Sequence, residues 1–312
     1  MDGQVMDGEA TGPPELDVII ATNRQSPFLR AAIASVQAQQ DVVCNLVVVD
    51  DGSPCPADIR ASVTNVPRAT VIHQATAGVS AARNRGLAEG RARFVAFLDD
   101  DDVWHPRKSV RQITALAQRP DAVASVCDGW YIDASGDVLE GWRWAAVADH
   151  PRLDYFAGTA PLPRIVTTLF RREVCESVGG FDERLRFAED HEFLLRTLLH
   201  GPLVPVGERL MYYRQHAANV TRGSRLQIRL SSELAFELAA EACVAGGHDA
   251  EAALLRQQIR LRQNEWFLEC VRSIRRTWRQ PQECRRELRW LVDHRAWLPA
   301  ATPTIVRHLR QR

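Results

Sequence analysis

Short apolar runs alternate with helix-like segments through the first hundred residues. Residues 16–21 (LDVIIA) are rich in β-branched side chains with few polar interruptions, which predicts a strand buried on both faces. Ser26-Pro27 then supplies an N-cap and a first-turn proline for a helix reaching about residue 40. Its apolar face is Phe28, Ala31, Ala32, Ile33 and Val36. Residues 46–49 predict a second buried strand, 69–73 a third and 94–98 a fourth. Between the last two, 78–89 reads as a helix of small residues stopped by Gly90. This alternation predicts an α/β fold with a Rossmann-like, mostly parallel sheet flanked by helices, its ligands beyond the carboxyl ends of the strands. Three of the four strands run into polar residues there: Thr22-Asn23, Asp50-Asp51, and the run Asp99 to Asp102.

Further along the pattern loosens. A helix is predicted over 106–118 and a strand over 122–127, followed by a turn-rich stretch holding Trp130, Trp142, Trp144, Tyr155 and Phe156. The Trp residues suit either sugar stacking or ordinary core packing. Residues 165–170 read as a strand, 172–178 as a helix ended by Gly179-Gly180, and 189–200 as a helix. Strands follow near 203–206 and 210–213. From Leu226 onward Ala, Leu, Glu and Arg dominate, predicting helices broken near Gly246-Gly247 and Pro281.

Composition changes this picture little: 46% hydrophobic and 25% charged residues are ordinary for a globular chain. Charge changes it more. The net is zero, yet from Arg222 to the end 17 Arg face 10 acids, so a basic tail follows an acidic body. The Arg-rich stretch (Arg272, Arg275, Arg276, Arg279, Arg285, Arg286, Arg289) is interleaved with Glu265, Glu269, Glu283 and Glu287. That spacing fits a salt-bridged solvated face and leaves a membrane-surface contact open. No nucleic-acid reader motif accompanies it, so no nucleic-acid partner is expected. Seven scattered Cys lack CxxC spacing and read as reduced thiols. Residues 1–14 read as a disordered leader without signal-peptide character, and no apolar run is long enough to span a bilayer. The default compartment is the cytoplasm, with the basic tail able to sit peripherally at the inner face of a membrane.

Four consecutive aspartates after a buried strand repel one another, and a hard divalent cation (Mn²⁺ or Mg²⁺) is what would relieve them. Such an ion would also stabilise a departing diphosphate. Glu189-Asp190 is a second carboxylate centre at the start of a predicted helix, where acids also favour the dipole.

Six segments in order carry a resemblance: DVIIATNR (17–24), VVVDDGSP (47–54), AGVSAARNRGL (77–87), FLDDDDVW (97–104), GGFDERLRFAEDHEF (179–193) and YRQHAANVT (213–221). Together they resemble the inverting family 2 glycosyltransferases of GT-A fold. The resemblance implies a catalytic domain over 15–221 and a C-terminal helical region over 222–312. It implies transfer of a sugar from a nucleotide diphosphate-sugar, typically a UDP-sugar, to a hydroxyl acceptor in glycan or polysaccharide synthesis. Thr22 and Arg24 would line the nucleotide pocket, Asp50 beside Asp51 would meet the base, and Arg83 would reach the base or phosphates. Asp99 and Asp101 match the two acids of the family's DxD. Asp101 would touch the metal and Asp99 would lie nearer the ribose, while Asp100 between them makes the ligand assignment ambiguous. His216 would complete the metal or phosphate site, and Asp190 would be the catalytic base. Two other readings stay open: a nucleotidyltransferase on a similar sheet, against which ATNRQSPF lacks a Gly-rich loop, and a non-catalytic sugar-nucleotide or glycan-binding module.

Overall fold

The computed structural model of this 312-residue chain describes residues 12–143, 150–217 and 225–277, the side chains of 225–227 and 266–277 excepted. The strands are β1 (Leu16–Thr22), β2 (Cys44–Asp51), β3 (Ala69–Gln74), β4 (Phe94–Asp99), β5 (Val103–Trp104), β6 (Ala124–Ile132), β7 (Val138–Trp142), β8 (Thr168–Arg171) and β9 (Leu203–Arg214). They form one sheet in the order β3-β2-β1-β4-β8-β6-β9-β5, with β7 beside β6. The expected parallel layer is its first half, β3-β2-β1-β4. β8 then runs antiparallel to both β4 and β6, while β9 pairs parallel with β6.

The helices are α1 (Leu29–Gln37), α2 (Pro56–Ser62), α3 (Val79–Glu89), α4 (Lys108–Gln118), α5 (Arg152–Ala157), α6 (Arg172–Ser177), α7 (Glu189–Leu198), α8 (Arg225–Ala245) and α9 (Asp249–Thr277). Val18, Ile19, Ile20, Val48 and Val49 are fully buried, which is why their runs carry almost no polar residues. Where the sheet turns antiparallel, Phe97, Phe170, Phe181 and Phe193 interlock. Phe181 and Phe193 stack at 4.2 Å, and Phe97 meets Phe181 edge-on at 4.9 Å. Each such buried ring contributes about 1.5–3 kcal/mol and ties α7 to the end of β4.

Local differences from the sequence expectations have physical causes. Ser26 does not cap α1, which begins at Leu29. Its hydroxyl instead donates to the Asp100 carbonyl at 3.1 Å and accepts the Phe28 N–H at 3.3 Å. Residues 203–206 and 210–213 are one strand, because β9 crosses Gly207-Glu208 as a bulge and resumes its pairing with β6. Residues 165–167 form a 3₁₀ turn rather than strand, since the Thr167 and Thr168 hydroxyls both donate back to the Arg164 carbonyl. Trp142 is buried, whereas Trp130 is half-buried, has Arg209 stacked 4.4 Å from its ring and lines a surface pocket with Asp128 and Tyr212. Trp144 and Pro281 lie outside the described residues.

The C-terminal helices pack on the sheet domain. α8 lies along α7 and α9 along α5. Arg152 pairs with Glu251 at 2.6 Å, and the Gln258 amide donates to the Phe156 carbonyl at 2.6 Å, near the end of α5. Ala235 and Leu238 of α8 enclose Leu185 and Ala188, directly before α7. Cys44, Cys55, Cys127, Cys175 and Cys243 are free thiols. Among the described residues no helix is long and apolar enough to cross a membrane. The side chains of the Arg-rich stretch 272–289 lie outside the described set.

Candidate active site

Parallel register sets the carboxyl ends of β1, β2 and β4 side by side, pairing Thr22 with Asp50 and Ala21 with Asp99. Asp50 and Asp51 are both buried and both shape loops. Asp50 accepts the Ser53 N–H at 2.9 Å through one oxygen, and its other oxygen lies 2.8 Å from His73 Nδ1. Asp51 accepts from the Gln74 amide and from the N–H groups of Ala77 and Gly78, all at 2.8 Å, and so fixes the turn into α3. Gly52 is required between them and that turn. Its φ is +74°, and an added Cβ would stand 2.1 Å from the Thr76 hydroxyl.

α3 carries Arg83 and Asn84 toward the 179–193 segment. Asn84 accepts the Phe181 N–H at 2.8 Å and donates to the Phe181 carbonyl at 2.9 Å. This clamp leaves no room for a side chain at Gly180, whose Cβ would meet Asn84 at 2.4 Å. Arg83 is buried and spans the two acidic centres. Nη1 donates to Glu189 at 2.8 Å and Nη2 to Asp99 at 3.1 Å. Glu189 and Asp190 open α7 directly after Ala188, which sits in left-handed conformation at φ +59°. Burial pushes the Glu189 carboxyl up to about 7, with Arg83 opposing and Asp190 adding to the rise. Asp190 is half-buried and accepts the His191 N–H at 2.9 Å.

The four aspartates after β4 take different directions. Asp100 turns toward β1: Thr22 donates to it at 2.6 Å, and Arg24 reaches it through Nη2 at 2.9 Å and Nε at 3.4 Å. Asp101 Oδ2 takes Arg24 Nη2 at 3.0 Å and lies 2.9 Å from His216 Nε2. Asp102 is fully buried; one oxygen accepts the Arg214 N–H at 2.8 Å, and the other has no hydrogen-bond partner. Burial drives its carboxyl well above the usual range, and Asp99 and Asp101 drive it further. The Asp99 carboxyl is pushed up too, by desolvation and then by Asp101 and Asp100 against the pull of Arg83.

Asp99, Asp101 and Asp102 bring one carboxylate oxygen each within 4.8 Å of one another. An all-oxygen donor set with an orphaned buried oxygen fits a hard divalent cation. Of the residues expected at the metal, Asp99 and Asp101 are in this cluster, whereas His216 stands behind Asp101. Thr22, Arg24 and Asp100 form one knot, and Arg83 joins Asp99 to the start of α7. Asp50 and Asp51 stand at the neighbouring strand end. The sequence reading had no means of singling out Asp102, the last of four identical residues, or His73, whose partner lies one strand away.

Parallel strands feeding an acid-lined cleft, continued by a mixed sheet and backed by helices, describe a glycosyltransferase of the GT-A type. The chain belongs to glycosyl transferase family 2, whose family model matches residues 17–179. It is similar to an uncharacterized glycosyltransferase of Nostoc sp., alr2836, at 27% identity over 285 residues, or 85% of this chain and 86% of that one. The succinoglycan biosynthesis protein ExoU of Rhizobium meliloti is 25% identical over 280 residues, 81% of this chain and 77% of that one. Among solved structures, S. aureus TarS 1-349 in complex with UDP-GlcNAc matches with a TM-score of 0.60 at 18% identity, over 74% of this chain and 66% of that one. The likeness to TarS is one of fold.

Proposed function

We propose that this glycosyltransferase is inverting and cation-dependent, and that it moves a sugar from a nucleoside diphosphate-sugar to a hydroxyl acceptor during glycan or polysaccharide assembly. The observation that carries the reading is Arg83, whose single buried guanidinium bonds both Asp99 and Glu189. It sets the acids suited to a cation within one side chain's reach of the acids suited to proton transfer. The bound UDP-GlcNAc of the TarS fold neighbour favours a UDP-sugar as donor, and the succinoglycan relative favours a saccharide acceptor.

In this reading Thr22, Arg24, Asp50, Asp51, Arg83, Asp99 and Asp100 form the nucleotide side of the cleft. Asp99, Asp101 and Asp102 would hold Mn²⁺ or Mg²⁺, with His216 orienting Asp101. The ion, when bound, offsets charge on the departing diphosphate. Asp190 takes the acceptor hydroxyl's proton as the new bond to the anomeric carbon forms and the bond to the diphosphate breaks. Glu189, held by Arg83 and raised toward neutrality, anchors the helix start rather than serving as the base. Residues 15–221 would be the catalytic domain and 222–312 its helical companion. The Arg-rich stretch within the latter suits an anionic membrane surface.

The test is nucleoside diphosphate release from UDP-, GDP- and dTDP-sugars with Mn²⁺, with and without a bacterial glycan extract. Release from one donor, increased by the extract, is the expected result. Pyrophosphate release from a nucleoside triphosphate would establish a nucleotidyltransferase instead. Metal-dependent nucleotide binding without turnover on any donor or extract would establish a binding module.

A further inference from the structure

Arg164 precedes the 3₁₀ turn leading into β8, and that turn packs against both β4 and β9. Its guanidinium carbon lies 4.3 Å from the Tyr213 ring centroid and 5.7 Å from that of Tyr131. Nη2 donates to the Tyr131 hydroxyl at 3.2 Å, and the two tyrosines meet edge-on at 5.8 Å. The side chain is half-buried; among the described residues no carboxylate is ion-paired with it, but its charge draws the Asp102 carboxyl down from farther off, and it also hydrogen-bonds Tyr213. Partly buried guanidinium groups are normally paired, because desolvating a charge costs more than aromatic faces return. Arg83, Arg24, Arg152 and Arg172 all obey that rule in this protein. Arg171 and Arg214 instead spend their N–H groups on backbone carbonyls. Among the described residues Arg164 has neither arrangement; its charge acts only at longer range on Asp102, which places it beside the catalytic cleft. Tyr213 immediately precedes Arg214, whose N–H holds Asp102.

Its side of the cleft also matters. The residues assigned to the nucleotide lie at the ends of β1, β2 and β4 and on α3, whereas the Arg164 cradle belongs to β6, β9 and the turn before β8, on the other side of the aspartate run. We infer that Arg164, seated between Tyr131 and Tyr213, is an anion subsite on the acceptor side of the cleft, taking a phosphate or carboxylate group on the N–H groups that the two tyrosines leave. The inference rests on the transferase reading and deepens it: the acceptor carries negative charge near the hydroxyl that is glycosylated. The same phosphate chemistry is present in the donor's diphosphate, so the experiment separates the two sources.

Calorimetry on the full chain with Mg²⁺ uses three probes, namely UDP, uridine, and inorganic phosphate titrated into UDP-saturated protein. For an acceptor-side subsite, phosphate binds the UDP complex of the wild type, and Arg164→Gln weakens that binding by about tenfold or more while leaving UDP affinity unchanged. A tenfold loss of UDP affinity in Arg164→Gln, with uridine affinity unchanged and no phosphate bound by the wild-type UDP complex, would assign the anion to the donor and overturn the acceptor assignment. Identical UDP and phosphate titrations in wild type and variant would overturn the subsite altogether. Arg164→Lys, which keeps the charge and loses the paired N–H edge, is expected to fall between the two and guards against misfolding of the glutamine variant. A wild type that binds phosphate through Arg164 but no UDP would refute the transferase reading while sustaining the anion subsite.

Discussion

Replacing Lys108 by methionine should remove a rise in stability that the wild type gains between pH 7 and pH 10. Lys108 is the single lysine of the chain and is fully buried at the start of α4. Its ammonium lies 4.1 Å from the Trp104 ring centroid and donates to Gln112 Oε1 at 2.7 Å. Burial lowers its pKa from a lysine's ordinary 10.5 to about 8. The unfolded chain therefore keeps this proton up to pH 10.5, whereas the folded protein gives it up near pH 8. More protons are bound in the unfolded state across that window, so stability rises with pH. The full effect is about 3 kcal/mol, most of it recovered between pH 7 and pH 10. The buried thiols Cys44, Cys127, Cys175 and Cys243, pushed up to about 11–12 by desolvation, act in the opposite direction. Cys175 and Cys243 are common to both proteins and cancel, whereas Cys44 and Cys127 are held down by Lys108, so the difference between the two urea-unfolding curves reports the lysine together with its coupling to those two thiols. Losing the donor to Gln112 shifts the variant by a constant and leaves the slope intact. Parallel stability profiles for the two proteins from pH 7 to pH 10 would refute the reasoning.

Four shorter predictions concern the site. Asp190→Asn should leave UDP affinity within about twofold and cut turnover by ~10²-fold or more; near-normal turnover removes Asp190 from the mechanism. Asp101→Ala should erase the difference between UDP titrations with and without Mn²⁺, a difference whose absence in wild type would defeat the cation assignment. Asp100→Ala breaks the knot with Thr22 and Arg24 and should cost about 2–4 kcal/mol in urea unfolding, whereas a loss below about 1 kcal/mol would mean that Asp100 is not structural. Glu189, with a carboxyl raised from 4.5 to about 7, holds its proton longer when folded, so its contribution to stability falls as pH rises through that window. Glu189→Gln should flatten that part of the profile, and an unchanged slope would argue against the shift.

The first half of the fold could be read from the chain because β1, β2 and β4 are buried on both faces and leave apolar runs, with only the edge strand β3 partly exposed. Their polar ends follow from the same cause, since the chain there emerges into the cleft. Other elements, α2 within this half and several further on, hide for equally physical reasons. β7 is an edge strand whose first four residues are exposed, so no alternation marks it. The β9 bulge places Gly207 inside a strand, where a glycine reads as a break. Helix α2 is only seven residues long and follows Ser53-Pro54-Cys55-Pro56, a stretch that reads as a loop. In the site, the four aspartates showed that charge accumulates but not which way each carboxylate faces. Thr22 and Arg24 draw Asp100 away, and Arg214 holds Asp102, through partners 78, 76 and 112 positions distant in the chain. Arg164 was silent for the same reason: its meaning lies in two tyrosines from separate strands.

The seating of Ala188 against Ala235 and Leu238 makes the family domain a poor candidate for transplantation. Helix α7 does not set its own origin; the strained residue before it rests on a surface supplied by α8, beyond the last family motif. A chimera that kept the sheet and its six motifs but drew its final helices from a relative would inherit a cleft with an unmatched bearing surface under Glu189 and Asp190. Exchange of acceptor preference among such enzymes, by nature or by design, is then expected to move α8 together with α7, as one cassette.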